Sequence, residues 1–545
     1  MRISRGSEPV ERWGVYEVIL KDANPSGGNP FTDTIVKARF SHGQRVIEVK
    51  GFYDGDGTYR IRFMPDETGA WSYETLSNHP HLAGQLGEFS CIAPSNDNHG
   101  PVHPSRTFHF SYADSTPFFT MGTTAYAWTY RPEEIRRKTL ESFSKYGFNK
   151  IRMCVFPKHY GDGKKIDISY EPPCYPFEGG PNAWDFTRFD PLYFRNFEER
   201  VADLLDRGIM ADVILFHPYD SGQWGIDTGM GPEDDLRYLD YLVARISAFY
   251  NVWWSLANEY DLMSEKHKSR SKDWGRIGRF LQDNDPYQHP RSVHNLPFGP
   301  VFPDADWLTH VSYQHSNAYS LLLDLRRRYA KPVINDEYQY EGNVGTDWGG
   351  CTAELETERH WMTAMAGGYG THGEAFIVDG NGKDIFWSYG GELRGGSPRR
   401  LAFLKQVLES VPYQEMEPDT HKGDGRDFFC LAKGSETYLY FMTPTWKDHD
   451  MLFVGPASWP DWSYDATIYD AWNCTVARQL VMPCGIHKGL DLPPMAAIRL
   501  VRKRSSVGSG GSPAALSESG RPLHDHRPTL EAYPLRFSRN QLSEG

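Results

Sequence analysis

The chain has 545 residues, enough for three to four domains of ordinary size. Its 39% hydrophobic and 14% aromatic content suits a globular chain with large cores and aromatic binding platforms. A net charge of −13, with no basic block ahead of the tail, argues against a nucleic-acid partner. No apolar run reaches the roughly 18 residues that would span a bilayer, so no membrane partner is expected.

The opening stretch, MRISRGSEPVERWGVYEV, has no apolar core of the kind a secretory leader carries. Seven cysteines are scattered and never in C-x-x-C spacing, a pattern of neither a disulfide framework nor a zinc ribbon. A cytoplasmic protein with reduced thiols is the expectation.

Residues 1–97 read as all-β. YEVILKDA, TIVKARFSH, QRVIEVKGFYDG, TYRIRFMPD, GAWSYETLS and GEFSCIA are short alternating runs punctuated by Gly, Asn, Asp and Pro, as in an immunoglobulin-like β-sandwich. From 98 to 411 the pattern changes to strand and helix in turn. PFFTMGTTA precedes a helix that starts near Pro132 and stops at Gly147, and NKIRMCVF leads into a long aromatic-rich loop. A helix closing at Gly208 feeds IMADVILFHPYD, and another leads into NVWWSLANEYD. PRSVHN, WLTHVSYQH, KPVINDEYQ and GGYGTHGEAFI complete eight candidate strands, each expected to be followed by helix. The fold class is therefore α/β, a (β/α)8 barrel. A doubly wound open sheet is the rival, but no G-x-G-x-x-G follows any strand. Residues 412–503 turn β again, as a second sandwich, and the Ser-, Gly- and Pro-rich residues 504–545 read as a flexible tail.

Two strands end in a way that packing alone does not explain. The run Val252, Trp253, Trp254, Leu256 stops being apolar at Asn258–Glu259, and KPVINDEYQ ends in Asp336–Glu337. Barrels place their active sites at the C-terminal ends of strands. Two glutamates there are what a retaining glycosidase needs, as proton donor and nucleophile. A carboxyl near apolar walls and a second carboxylate keeps its proton to higher pH, as the donor role requires. Adjacent residues of an extended strand face opposite ways, so only one of Asp336 and Glu337 is expected to reach the barrel mouth. Glu341 lies in the loop beyond.

SLANE and INDE resemble the clan A glycoside hydrolases, barrel enzymes with the acid/base after the fourth strand and the nucleophile after the seventh. GIMADVILFHPYDSGQWG and AFYNVWWSLANEYD are similar to the branch with an N-terminal immunoglobulin-like sandwich and a C-terminal β domain. The resemblance covers nearly the whole chain except the tail. It implies Glu259 as acid/base, Glu337 as nucleophile, Asn258 as a partner of the sugar 2-hydroxyl, and Arg152 as a hydrogen-bond donor to the nucleophile. Tyr313 and His315 of the sixth strand are candidates to orient Glu337. His217, Tyr219, Asp220 and Trp224 after the third strand, His294 after the fifth, and His372 and Glu374 after the eighth are candidate sugar contacts. Trp128 and Trp387 are candidate platforms for a sugar ring.

The leading expectation is a retaining glycoside hydrolase on oligosaccharides or glycosides, exo-acting because the long loops at 156–190 and 220–235 should wall off one end of the groove. The retaining spacing is about 5–5.5 Å between carboxyls. No cofactor is expected. A transglycosidase and a non-catalytic carbohydrate-binding protein are the alternatives. The histidines 217, 294, 315 and 372 could suggest a metal, but no H-x-H or H-E-x-x-H spacing supports one. The flanking β modules are candidate homo-oligomer contacts.

Overall fold

A barrel of eight parallel strands holds the strand ends just described. The strands are β1 (Met121–Thr124), β2 (Lys150–Cys154), β3 (Met210–Phe216), β4 (Val252–Ala257), β5 (Arg291–Ser292), β6 (Val311–Gln314), β7 (Val333–Glu337) and β8 (Tyr369–His372). Ladders run continuously in the order β5-β4-β3-β2-β1-β8-β7-β6. Between β5 and β6 the wall is joined by single contacts. The Thr309 backbone N–H donates to the Arg291 carbonyl at 3.0 Å, and the Gln314 N–H donates to Asn295 Oδ1 at 3.3 Å. The computed structural model describes residues 3–22, 28–158, 171–219, 223–226, 229–263, 271–345, 348–378, 385–446, 451–456 and 461–503.

Every residue of β3 (MADVILF) and β4 (VWWSLA) is buried, as strands covered on both faces require. The longer helices are α1 (Glu133–Lys145), α2 (Pro191–Leu205), α3 (Pro232–Ile246), α4 (Trp274–Asn284), α5 (Ser320–Tyr329), α6 (Ala353–Met365) and α7 (Ser397–Glu409), and a single turn, Phe386–Tyr389, carries Trp387. Pro132 caps α1 and Gly147 turns the chain away from it at φ 68°. The Asp190 carboxylate caps α2 by accepting the Leu192 N–H.

One expectation fails: no helix separates β5 from β6. Pro297, Pro300 and Pro303 fall three apart there, and each removes a helical N–H donor.

Ahead of the barrel, seven strands from Val10–Glu11 to Leu86–Ile92 share one ladder order. The strand Arg45–Tyr53 pairs with Val36–His42 through Lys50, then switches to Thr58–Phe63 at Gly51. A Cβ on Gly51 would lie 2.7 Å from the Arg60 carbonyl, so the crossing needs glycine. The core there includes Tyr16, Phe40, Phe63, Trp71 and Phe89. Buried ion pairs tie this region to α2 and α3. Arg245 donates to Asp54 Oδ1 at 2.9 Å and to Glu198, while Arg62 donates to Glu198 at 3.1 Å and Glu17 at 2.9 Å. After α7 a six-stranded sheet follows, with a separate two-stranded ladder of Met451–Val454 and Gly485–Lys488. It meets α6 through the stacked rings of Trp361 and Phe441, 5.0 Å apart. No helix among the described residues is long and apolar enough to cross a membrane.

Candidate active site

The floor of the barrel mouth is a buried ionic cluster. Lys150 Nζ donates to Asp212 Oδ2 at 2.6 Å and to Asp336 Oδ1 at 2.8 Å. Thr371 and Ser312 donate their hydroxyls to the two Asp336 oxygens, each at 2.6 Å. Burial works to raise the Asp336 pKa, but Lys150 and Arg152 beside it hold the carboxyl far below the usual range. Asp336 is thus a fixed anion of the interior.

Glu337 also faces inward, so both neighbours lie on the interior side, where an extended strand was expected to send only one of them to the barrel mouth. Tyr313 pairs with Asn335 and Gln314 with Glu337, leaving Asp336 without an opposite number. This β-bulge re-aims the strand end, so that Asp336 joins the floor and Glu337 rises to the mouth. The Trp348 indole N–H donates to Glu337 Oε1 at 2.7 Å, and the Tyr126 hydroxyl to Oε2 at 3.3 Å. Arg152 Nη1 lies 3.8 Å and His294 Nε2 3.6 Å from the same Oε2. Burial alone would raise the pKa, yet His294 and the Arg152 charge beside it bring it below its ordinary value. Burial and Arg152 lower the His294 pKa in turn, so Arg152 is the permanent cation of the pair, and His294 Nε2 has its hydrogen-bond partner in Gln314 Oε1 at 3.0 Å.

Glu259 takes the left-handed conformation, φ 49° and ψ 54°, directly beyond β4. A side chain in that region is strained by about 1–2 kcal/mol, and such strain gathers at functional sites. The Tyr219 hydroxyl donates to Glu259 Oε2 at 2.5 Å. Burial first, and the Glu337 charge second, push the Glu259 carboxyl up to about 7, against the pull of Tyr219 and Lys158. Asn258 sits between the two carboxylates. Its Nδ2 donates to Tyr219 Oη at 2.5 Å, and its Oδ1 accepts from Arg152 at 2.5 Å and lies 3.3 Å from the Tyr126 hydroxyl.

Aromatic rings wall the mouth. Trp387, half-buried, stacks on Tyr340 at 5.6 Å and meets Tyr126 edge-on at 5.6 Å. Buried Lys158 lies 3.8 Å over the Tyr219 ring, 4.8 Å over Tyr126 and 5.1 Å over Trp387. His217 stacks beneath Tyr219 at 5.3 Å.

Of the sequence-based candidates, Glu259, Glu337, Asn258, Arg152, Tyr219, His217, His294 and Trp387 meet here. Asp220 lies outside the described residues. Trp128 is no platform: it is fully buried and packs edge-on against Phe143 of α1 at 5.9 Å. Trp224 is likewise buried, against Tyr175 and Trp184. Tyr313 and His315 do not reach the Glu337 carboxylate. Tyr313 is buried on the outward face of β6, and His315 packs on Phe298 and accepts from the Asn317 N–H. The inward pair of β6 is Ser312 and Gln314, the latter 3.0 Å from His294 Nε2. His372 faces out of the barrel, stacked on Phe148, with Nδ1 2.9 Å from Thr123 Oγ1. Glu374 is a structural clamp: it accepts the backbone N–H groups of Arg394 and Gly395 at 2.8 and 2.7 Å. Glu341 does the same for Gly396 and Ser397 at the start of α7. Among the described residues no group of three or more His, Cys, Asp or Glu is placed to hold a metal ion.

Sequence reasoning missed Tyr126, Lys158, Tyr340, Trp348, Ser312 and Gln314. The one signal for Tyr126 was its place just past a strand end. The others follow from strand parity or from loop paths that no local pattern shows.

A parallel (β/α)8 barrel with two buried glutamates at its C-terminal mouth is an architecture suited to glycoside hydrolysis. A family model described as apiosidase-like, catalytic domain, matches residues 105–415, and the chain belongs to that family. Residues 9–78 match a domain of unknown function (DUF5060). The chain is similar to a candidate glycoside hydrolase from Bacteroides vulgatus ATCC 8482, at 36% identity and TM-score 0.81, over 91% of this chain and 100% of that one. It shares its fold with a family 5 glycoside hydrolase from the same organism, at 15% identity and TM-score 0.58, over 74% and 94% of the two chains. No curated protein sequence matches the chain.

Proposed function

We propose that the chain is a retaining, exo-acting glycosidase of short glycosides, with Glu337 as nucleophile and Glu259 as acid/base. The observation that carries this reading is the different setting of the two buried carboxyls: Glu337 lies among Trp348, Tyr126 and Arg152, whereas Glu259 meets the Tyr219 hydroxyl, and its carboxyl is pushed up while that of Glu337 is held below its ordinary value. Glu337 attacks the anomeric carbon while Glu259 gives its proton to the departing oxygen. Glu259 then takes a proton from the water that releases the sugar. Arg152, Tyr126 and Trp348 hold the nucleophile ionised and aimed, and Trp387 offers a ring face to the glycone. The apiosidase-like family makes a terminal apiosyl group the first glycone to test.

Exo-action is supported by the packing of the N-terminal region against the loop after β2. Asn29 Nδ2 donates to the Thr187 carbonyl at 3.0 Å, and Phe31 meets Phe189 edge-on at 5.6 Å. Residues 159–170 of that loop, and 220–222 and 227–228 of the next, lie outside the described residues. The proposed division is a sandwich at 1–97, the catalytic barrel at 98–411, a second sandwich at 412–503 and a tail at 504–545. Cytoplasmic action is part of the same reading: no disulfide joins the seven cysteines.

The test is the anomer first released from an apioside or aryl glycoside, followed by NMR, together with two alanine variants. Retention is expected. Glu337→Ala should abolish turnover on every substrate, whereas Glu259→Ala should spare substrates with good leaving groups and be rescued by azide. An inverted first product, or variants that behave alike across leaving groups, would refute the proposal.

A further inference from the structure

The direction of every hydrogen bond between Arg152 and Glu259 follows from donor chemistry. A guanidinium only donates, so the Asn258 atom 2.5 Å from Arg152 Nη2 must be the amide oxygen. That fixes the amide, and its nitrogen then faces Tyr219 at 2.5 Å. An amide N–H also only donates, so the Tyr219 oxygen accepts from Asn258. The hydroxyl's single hydrogen goes to its other partner, Glu259 Oε2, at 2.5 Å. An oxygen that accepts so short a bond is not the one that carries the acid's own proton.

We infer that Tyr219 is a positioning residue that selects Oε1 of Glu259 as the oxygen that delivers and recovers the proton. The polarity is set from Arg152 through Asn258, on the strand end that precedes the acid. The inference rests on the assignment of Glu259 as acid/base. No new species is formed: the O–H bond of Oε1 breaks as the bond to the glycosidic oxygen forms, and the electron pair of the C–O bond leaves with that oxygen. In the second half the same Oε1 removes a proton from water as the water oxygen bonds to the anomeric carbon and Glu337 leaves. Without the Tyr219 bond the carboxyl can carry its proton on either oxygen and rotate, so part of the population presents the wrong one.

Tyr219→Phe removes one oxygen and keeps the ring under Lys158. Two changes are expected together. On a substrate with a poor leaving group kcat/KM should fall about 10- to 100-fold, within the range a positioned general acid contributes. On an activated aryl glycoside the loss should be smaller, within about tenfold. The alkaline limb of the pH profile should move up by about one unit, because a bond that favours the ionised carboxylate has been removed. Incorporation of 3-fluorotyrosine at 219 strengthens the donor at nearly constant shape and should move the limb down. Opposite movements support the inference. An unmoved limb in both proteins, or equal losses across leaving groups with normal thermal melting, would overturn it. Failure of the underlying assignment is separate: it would appear as a loss in Glu259→Ala that is independent of the leaving group.

Discussion

Replacing Glu337 with glutamine separates the two physical causes of the Glu259 shift. Burial is the larger cause and the Glu337 charge the second, and the carboxyl moves from an ordinary 4.5 to about 7. Glutamine keeps the shape of the neighbour and removes its charge. Ionised Glu259 then has no anion beside it, so its pKa must fall. Burial persists, and as the larger cause it limits the fall to about one unit, leaving the group near 6. The variant cannot form a glycosyl ester, so the titration is read directly, from the 13C carboxyl signal of Glu259 in glutamate-labelled protein. The signal is assigned by its loss in Glu259→Gln. In the unmodified enzyme the same group sets the alkaline limb of kcat/KM, because the acid must hold its proton when the glycosidic oxygen leaves. That limb should fall near pH 7. A titration at 4.5 in the glutamine variant would refute the reasoning, since burial would then contribute nothing. An unchanged value would refute it from the other side, because the two carboxyls would not sense each other.

Trp348→Phe deletes one donor to the Glu337 carboxylate, so the acidic limb of the pH profile should rise and kcat/KM fall about 10- to 100-fold. An unmoved acidic limb would mean that the indole only packs. Lys150→Met removes the cation hydrogen-bonded to both Asp212 and Asp336, leaving Asp336 with Arg152 alone, and should cost about 3–5 kcal/mol in urea unfolding at pH 7. Asp336 then has a raised folded pKa, so the deficit should shrink as pH falls towards the aspartate range; a deficit constant with pH would exclude the charge explanation. Trp128→Ala should destabilise the fold by about 3–5 kcal/mol. Trp387→Ala should instead raise KM with little change in thermal melting, and a reversal of these two phenotypes would reassign the platform.

Strand ends were the most legible feature of the sequence. An apolar run that breaks at Asn-Glu, and another at Asp-Glu, can be read without any tertiary knowledge. Parity within the strands was not legible. Tyr313 and Ser312 both lie buried on β6, one facing the helices and one the barrel interior. A strand covered on both faces carries no alternation to say which is which. The bulge at Asp336 compounds this, since one extra residue changes which side chains share a face. Trp128 and Tyr126, two residues apart past β1, show the same limit: the tyrosine reaches Glu337 and the tryptophan packs under α1. Glu374 stands at a strand end as Glu337 does, but its partners are backbone amides twenty residues later. The missing helix between β5 and β6 was not anticipated, although Pro297, Pro300 and Pro303 in that stretch each remove a helical donor.

Both carboxylates need different ionisation states within one small mouth, and Arg152 explains how a single cation serves both. Placed directly on each glutamate, a guanidinium would lower both pKa values and remove the acid. Here it stands 3.8 Å from Glu337 Oε2 and reaches Glu259 only through the neutral Asn258 amide and the Tyr219 hydroxyl. Charge acts on Glu337, the proposed nucleophile, whereas Glu259, the proposed acid, receives only direction. A hydrogen bond still favours ionised Glu259, but burial and the Glu337 charge outweigh it, and the group stays at about 7. The floor supports this separation. Asp336 is already neutralised by Lys150, so it adds no second anion to push Glu337 towards its neutral form. The bulge that leaves Asp336 unpaired in the β7 ladder is therefore part of the chemistry. It lets one strand end supply an anion to the floor and another to the mouth, with Arg152 between them.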